Sequence, residues 1–263
     1  MKFYDEKNKR LVIFEQKTSP EYWDKHWRID NFAEQVRAGK NNRFIKKFTA
    51  KFLPPKAKIL EGGCGIGQNV YGLSCWGYDA YGVDSARETI EKIKRGFPIL
   101  KISLQDVRKL NFPGNFFDGY WSLGVIEHFW NGYNEILEEM KRIIKPGGYL
   151  FLTFPYMCPL RKFKAKMGLY KKFRENSDGF YQFILDANKT IKDFEKHKFR
   201  LVLKYPHDAT KGIKDEISWL KPILQKIYDS RNFIARGIKF LNSILFSKIA
   251  GHCILLIFQK YEK

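Results

Sequence analysis

Glu61-Gly62-Gly63-Cys64-Gly65-Ile66-Gly67 follows a short apolar run beginning at Ala57 and leads into a helix-like stretch from Asn69 to Trp76. A glycine-dense turn between strand and helix lets the backbone take positive φ and approach a ligand closely, and the free amides at the helix start attract a carboxylate or phosphate. In a doubly wound sheet such a turn lies outside the carboxyl end of the first strand, where ligands bind. A dinucleotide fingerprint needs G-x-G-x-x-G. The frame starting at Gly63 puts Gln68 where the last glycine belongs, which disfavours NAD.

Upstream, residues 1–55 read as a helical lead-in with aromatics at Tyr22, Trp23 and Trp27, ending at Pro54-Pro55, which cannot continue a helix. Downstream, strands at Tyr78 to Val83, Ile99 to Ile102, Phe116 to Trp121 and Tyr149 to Phe154 alternate with helices at about Ala86 to Arg95 and Tyr133 to Ile144. The alternation resumes with a helix around Ile191 to His197, a strand at Phe199 to Lys204 and a final strand at His252 to Phe258. Two stretches interrupt it, at about 155–183 and 205–250, and read as insertions into one domain spanning 56–263. Strands alternating with helices predict an α/β protein with a mainly parallel sheet covered on both faces.

Acidic residues stand where the strands end. Asp84 closes Gly82-Val83-Asp84, where a carboxylate can accept hydrogen bonds from both hydroxyls of a ribose; capping the helix that starts at Ala86 is the structural alternative. Gly63, Gly65 and Gly67 preceded by Glu61 resemble motif I of the class I S-adenosylmethionine-dependent methyltransferases. Gln105-Asp106-Val107, the Phe117-Asp118 opening of the fourth strand and Lys145-Pro146-Gly147-Gly148 before the fifth resemble that family's later motifs, in order. The match covers roughly residues 57–154. It is nearest to the branch that includes ubiquinone and menaquinone biosynthesis methyltransferases.

The resemblance implies a Rossmann-like, doubly wound, seven-stranded and mostly parallel sheet with an antiparallel last strand, the insertions falling after strands 5 and 6. It implies S-adenosylmethionine as cofactor, with S-adenosylhomocysteine as product, held by Glu61, Gly63, Gly65, Gly67, Asp84, Ser85, Asp106, Val107 and Ser122. Asp84 would take the ribose and Asp106 the adenine amino group. Methyl transfer by in-line displacement needs positioning and water exclusion more than catalytic side chains.

On the acceptor side, His128 in Glu127-His128 is a candidate general base, because imidazole is poised near neutral pH; a wall or helix-start role is the alternative. The E-x-x-E-H metal motif of small-RNA and quinone O-methyltransferases is broken by Gly124, so no metal is expected. Tyr156, Tyr181 and His207 are candidate substrate contacts.

The 263 residues are 44% hydrophobic and 29% charged, enough for one substantial core. Cys64, Cys75, Cys158 and Cys253 have neither zinc-ligand nor disulfide-framework spacing, which fits a reducing, cytoplasmic setting. No apolar stretch approaches the roughly twenty residues of a spanning helix, and Met1 to Thr18 lacks a signal-peptide apolar region. The net charge of +20 favours anionic partners. Basic aromatic residues 161–174, and a helix over Phe233 to Ile249 with Arg236, Lys239 and Lys248 between apolar positions, suit an anionic or lipid-like substrate or peripheral contact with an anionic membrane surface. The leading expectation is methylation of a small-molecule, lipid-linked or saccharide acceptor. An RNA methyltransferase and a non-catalytic cofactor-binding scaffold are the alternatives, and composition leaves the oligomeric state open.

Overall fold

The computed structural model describes residues 1–174, 177–230 and 232–261. The chain opens with strands β1 (Lys2–Asp5) and β2 (Arg10–Phe14), followed by helices α1 (Pro20–His26), α2 (Phe32–Ala38) and α3 (Arg43–Phe52). Next come β3 (Lys58–Gly62), α4 (Gln68–Cys75), β4 (Asp79–Asp84), α5 (Arg87–Gly96), β5 (Lys101–Leu104), β6 (Phe117–Leu123), α6 (Asn134–Ile143) and β7 (Ile144–Pro155). Then follow α7 (Pro159–Lys166), β8 (Lys171–Lys172), β9 (Phe180–Ile184), α8 (Ala187–Lys196) and β10 (Phe199–His207). Helices α9 (Ala209–Glu216), α10 (Lys221–Asp229) and α11 (Phe233–Ala250) lead into β11 (Cys253–Lys260).

The main sheet has seven strands in the order β10-β11-β7-β6-β3-β4-β5. Strands β5, β4, β3, β6 and β7 run parallel, and β11 is antiparallel to both β7 and β10. This is the doubly wound sheet with an antiparallel last strand that the motifs imply. Its central strands bury both faces, because alternate side chains point to opposite sides. Leu150, Leu152 and Phe154 join Ile254, Leu256 and Phe258 in a core beneath α6 and α8, while Phe151, Leu255 and Ile257 join Trp121 under the helices of the other face. Helix α6 presents Ile136, Leu137, Met140 and Ile143 to the first core at the three-and-four spacing of a helical stripe.

The lead-in is helical only from Pro20 onward. Residues 2–14 form a hairpin, because Leu11, Val12 and Ile13 are all buried and can be covered on both sides only within a sheet. The insertion after β7 completes that second sheet, in the order β8-β1-β2-β9, with Leu11 facing Ile184 and Val12 facing Phe183. The later excursion is helical, and Tyr205 to His207 at its start belong to β10.

Candidate active site

A cavity of about 690 Å³ opens at the carboxyl ends of β3, β4 and β6. Gly63, Asp84, Ser85, Asp106, Val107 and His128 line it, so the sheet topology brings together residues that follow four successive strands. Gly63, Gly65 and Gly67 all have positive φ. A β-carbon on Gly67 would lie 2.5 Å from the Ile102 side chain, and one on Gly65 would lie 2.7 Å from the ring of Trp27, so the turn is held close to its neighbours on both sides.

Asp84 ends β4 and ties the turn in place. One carboxylate oxygen accepts from the Gly65 amide at 2.8 Å and the other from the Ala86 amide at 2.9 Å. Burial pushes its carboxyl upward, against the pull of these amides. The carboxylate therefore serves the helix start and the cavity wall together, while Ala86 itself occupies the cap position. Asp106 pairs with Arg108 at 2.6 Å, and that hydrogen-bonded ion pair holds its carboxyl below the ordinary range.

Glu61 and Ser122 lie beneath this surface. Glu61 accepts from the Asn69 amide at 2.7 Å, and burial pushes its carboxyl up to about 8. Its other oxygen and the Ser122 hydroxyl are buried without a hydrogen-bond partner among the described residues. Both side chains thus support the turn and the end of β6 from below and do not line the cavity.

His128 sits in the short 3-10 turn Ile126–His128 after β6. Its Nδ1 lies 2.7 Å from the Tyr181 carbonyl, and its ring meets Trp23 and Tyr181 at centroid distances of 5.0 and 5.1 Å. Burial pushes the imidazole down to about 4, so it is neutral at physiological pH. Neighbouring Glu127 is buried, and burial raises its carboxyl to about 8.

The remaining expected contacts need correction. Tyr156 is buried in the core and reaches the Ser247 carbonyl at 3.4 Å, because the bridge to Leu185 turns it away from the cavity. His207 is half-buried beside Phe44 and Tyr205 at the end of β10, across the antiparallel edge of the sheet. Tyr181 acts through its backbone carbonyl, while its ring packs on Tyr22 and His128 and lies outside the cavity lining. The sequence assigns no role to Trp23 of α1 and Trp27 at its C-cap, which line the cavity together with Phe129 and Trp130. Their spacing of four on a helix was the available signal.

Residues 60–152 match the methyltransferase domain family. The chain is 29% identical over 105 residues to 2-methyl-6-phytyl-1,4-hydroquinone methyltransferase of Synechocystis, covering 38% of this chain and 33% of that protein. It is 27% identical over 175 residues to phosphoethanolamine N-methyltransferase 3 of Arabidopsis thaliana, covering 62% of this chain and 35% of that one. The chain thus spans about a third of the length of these relatives. Among solved structures, a SAM-dependent methyltransferase from Methanosarcina mazei superposes with a TM-score of 0.56 at 17% identity, covering 82% of this chain and 98% of that one. At that identity the likeness is one of fold.

Proposed function

We propose that this chain, whose residues 60–152 match the methyltransferase domain family, is a class I S-adenosylmethionine-dependent methyltransferase that methylates a hydroxyl of a small or lipid-linked acceptor with a largely apolar body. The observation that carries the reading is that one cavity is lined by Asp84 and Asp106 together with His128, Phe129 and Trp130. About 690 Å³ lies within the range of pockets that bury a cofactor-sized molecule.

The residues fit the cofactor. Gly63 lines the cavity at positive φ, and it must be glycine because a β-carbon there would meet the Val125 side chain at 2.5 Å. Asp84 has a free lone pair on each oxygen for ribose hydroxyls, and Asp106 with Val107 borders the place for an adenine edge. When bound, S-adenosylmethionine supplies an electrophilic methyl group on a positively charged sulfur.

The chain itself supplies orientation, dryness and a proton acceptor. Trp23, Trp27, Phe129 and Trp130 wall part of the cavity with flat apolar surface, against which an apolar acceptor can displace water. His128 donates from Nδ1 to the Tyr181 carbonyl, which leaves its Nε2 lone pair to take the proton of an acceptor hydroxyl as the nucleophile forms.

The test incubates the purified chain with methyl-labelled S-adenosylmethionine and fractionated cell extract. Label in the organic-soluble or small-molecule fraction supports the reading. Label in RNA would favour an RNA acceptor, to which the +20 charge points. Cofactor binding with no labelled product in any fraction would leave a scaffold role.

A further inference from the structure

Helix α11 is built inside out. On a surface helix the apolar stripe ordinarily faces the core and the polar face meets water. Here Ala235, Ser247 and Ala250 are the buried positions, whereas Ile234, Phe240, Leu241, Ile244 and Leu245 are each more than half exposed. Their spacing of three and four puts them along one side of the helix. The inner face is small and polar because α9 presses closely against it. The Asn242 amide donates to the Thr210 hydroxyl at 3.2 Å, and a β-carbon on Gly212 would collide with the Ala250 carbonyl. Phe163, Met167 and Leu169, in and just after α7, extend the exposed apolar surface where α7 packs on α11.

We propose that the outer face of α11 lies on an anionic lipid bilayer, its apolar side chains in the headgroup and acyl boundary and its cations at the lipid phosphates. Charge complementarity selects this occupant. Helix α11 carries Arg236, Lys239 and Lys248 and no acidic residue; on α7, Arg161 and Lys164 are paired with Glu216 and Lys162 with Asp186, which leaves the exposed Lys166 as that helix's cation for the surface. Lys239 is bound to the Tyr228 and Ser230 carbonyls, which leaves Arg236 and Lys248 as exposed cations on α11. A second copy of the chain would bring the same cations together with no acid on either helix, inside a molecule of net charge +20. An anionic surface satisfies the stripe and its cations together. No helix among the described residues is long and apolar enough to cross a membrane, so α11 lies in the interface plane.

The placement is consistent with a role in substrate access. Helix α11 ends beside Cys253, which pairs with Pro155 at the carboxyl end of β7, the same edge of the sheet at which the cavity opens. Lipid binding itself does not depend on the chain being an active methyltransferase.

The test is co-sedimentation of the full chain with phosphatidylcholine vesicles, with and without phosphatidylglycerol, together with light scattering of the free protein. Wild type should sediment with the anionic vesicles only, and should release as salt rises past the point where the Debye length falls to about 8 Å. The double variant Ile244→Glu/Leu245→Glu should lose at least about tenfold in partitioning. Both side chains are exposed, so cofactor binding serves as the control that the variant is folded. Absence of wild-type binding, equal binding to neutral vesicles or unchanged binding of the double variant would each overturn the proposal. So would a dimer of the free protein that the double variant dissociates, since α11 would then be covered by a second copy.

Discussion

His128 Nδ1 stands 2.7 Å from the carbonyl oxygen of Tyr181, and that contact sets the tautomer of the ring. A carbonyl only accepts, so Nδ1 carries the proton and Nε2 the lone pair. Burial holds the imidazole near 4, which makes His128 a weak base that is nevertheless ready at every pH above that value. The acid limb of kcat/KM should therefore lie near 4, and not near the ordinary histidine value of 6.5. His128→Ala should lower kcat by about 10²–10⁴-fold with little change in cofactor affinity. A limb near 6.5 that disappears in the variant would show a solvated His128 and refute the buried geometry.

Asp84 performs two tasks, and its variants should separate them. Asp84→Ala leaves the Gly65 and Ala86 amides without their acceptor and removes the carboxylate from the cavity. Asp84→Asn keeps an acceptor of the same shape but loses the charge and half of the accepting capacity. Isothermal titration with S-adenosylmethionine should show weakening of at least about tenfold for Asp84→Asn and no measurable binding for Asp84→Ala, while melting temperature falls in both and further in the latter, because the Asn variant can accept from only one of the two backbone amides and the Ala variant from neither. Equal affinity in wild type and Asp84→Asn would mean that the carboxylate serves the turn alone.

Local signals carried most of this site. Glycine spacing, an acid at the end of each of two strands and a Pro-Gly-Gly turn are local features, and the parallel sheet that gathers them follows from alternation. What could not be read depends on contacts between distant segments. Leu11, Val12 and Ile13 look like lead-in residues until β9 pairs with them across most of the chain. Tyr156 and His207 have the right chemistry, but the bridge to Leu185 and the pairing with β11 turn them elsewhere. Trp23 and Trp27 are read as aromatics of a lead-in helix, and only the tertiary contact with Gly65 and His128 gives them a place in the cavity wall.

Glu127 predicts an unusual pH slope. Its Oε2 is buried without a hydrogen-bond partner among the described residues, and burial raises the carboxyl from 4.5 to about 8. A carboxyl raised on folding binds more protons in the folded chain than in the unfolded one. Its contribution is thus complete below about 4.5 and is lost as pH rises to about 8, by a few kcal/mol at most. Glu127→Gln cannot ionise, so the melting temperature of the variant should gain on wild type steadily between about pH 5 and about pH 8. The buried histidines shift in the opposite sense but equally in both proteins, and cancel in the difference. A gap that stays constant over this range would contradict a neutral Glu127.

Glu216 gives the mirror case, a carboxylate whose ionised form is the stabilising one. One oxygen meets Lys2 Nζ at 2.9 Å and Arg161 Nε at 3.0 Å; the other meets Lys164 Nζ at 2.8 Å and the Tyr170 hydroxyl at 2.7 Å. It therefore fastens β1 and α7 to α9, and with them the small sheet whose Phe180 lines the cavity. Burial acts against the charge, but Arg161, Lys2 and Lys164 outweigh it and bring the carboxyl down to about 2. Glu216→Ala leaves Arg161 buried and unpaired, at a cost of about 3–5 kcal/mol in chemical denaturation at neutral pH. Glu216→Gln keeps the volume but lacks the charge. Because the folded carboxyl titrates below its ordinary 4.5, the wild-type advantage over Glu216→Gln should be complete above that value and shrink as pH falls from 4.5 towards 2. An advantage that persists unchanged through that window would place the stabilisation in shape and not in charge.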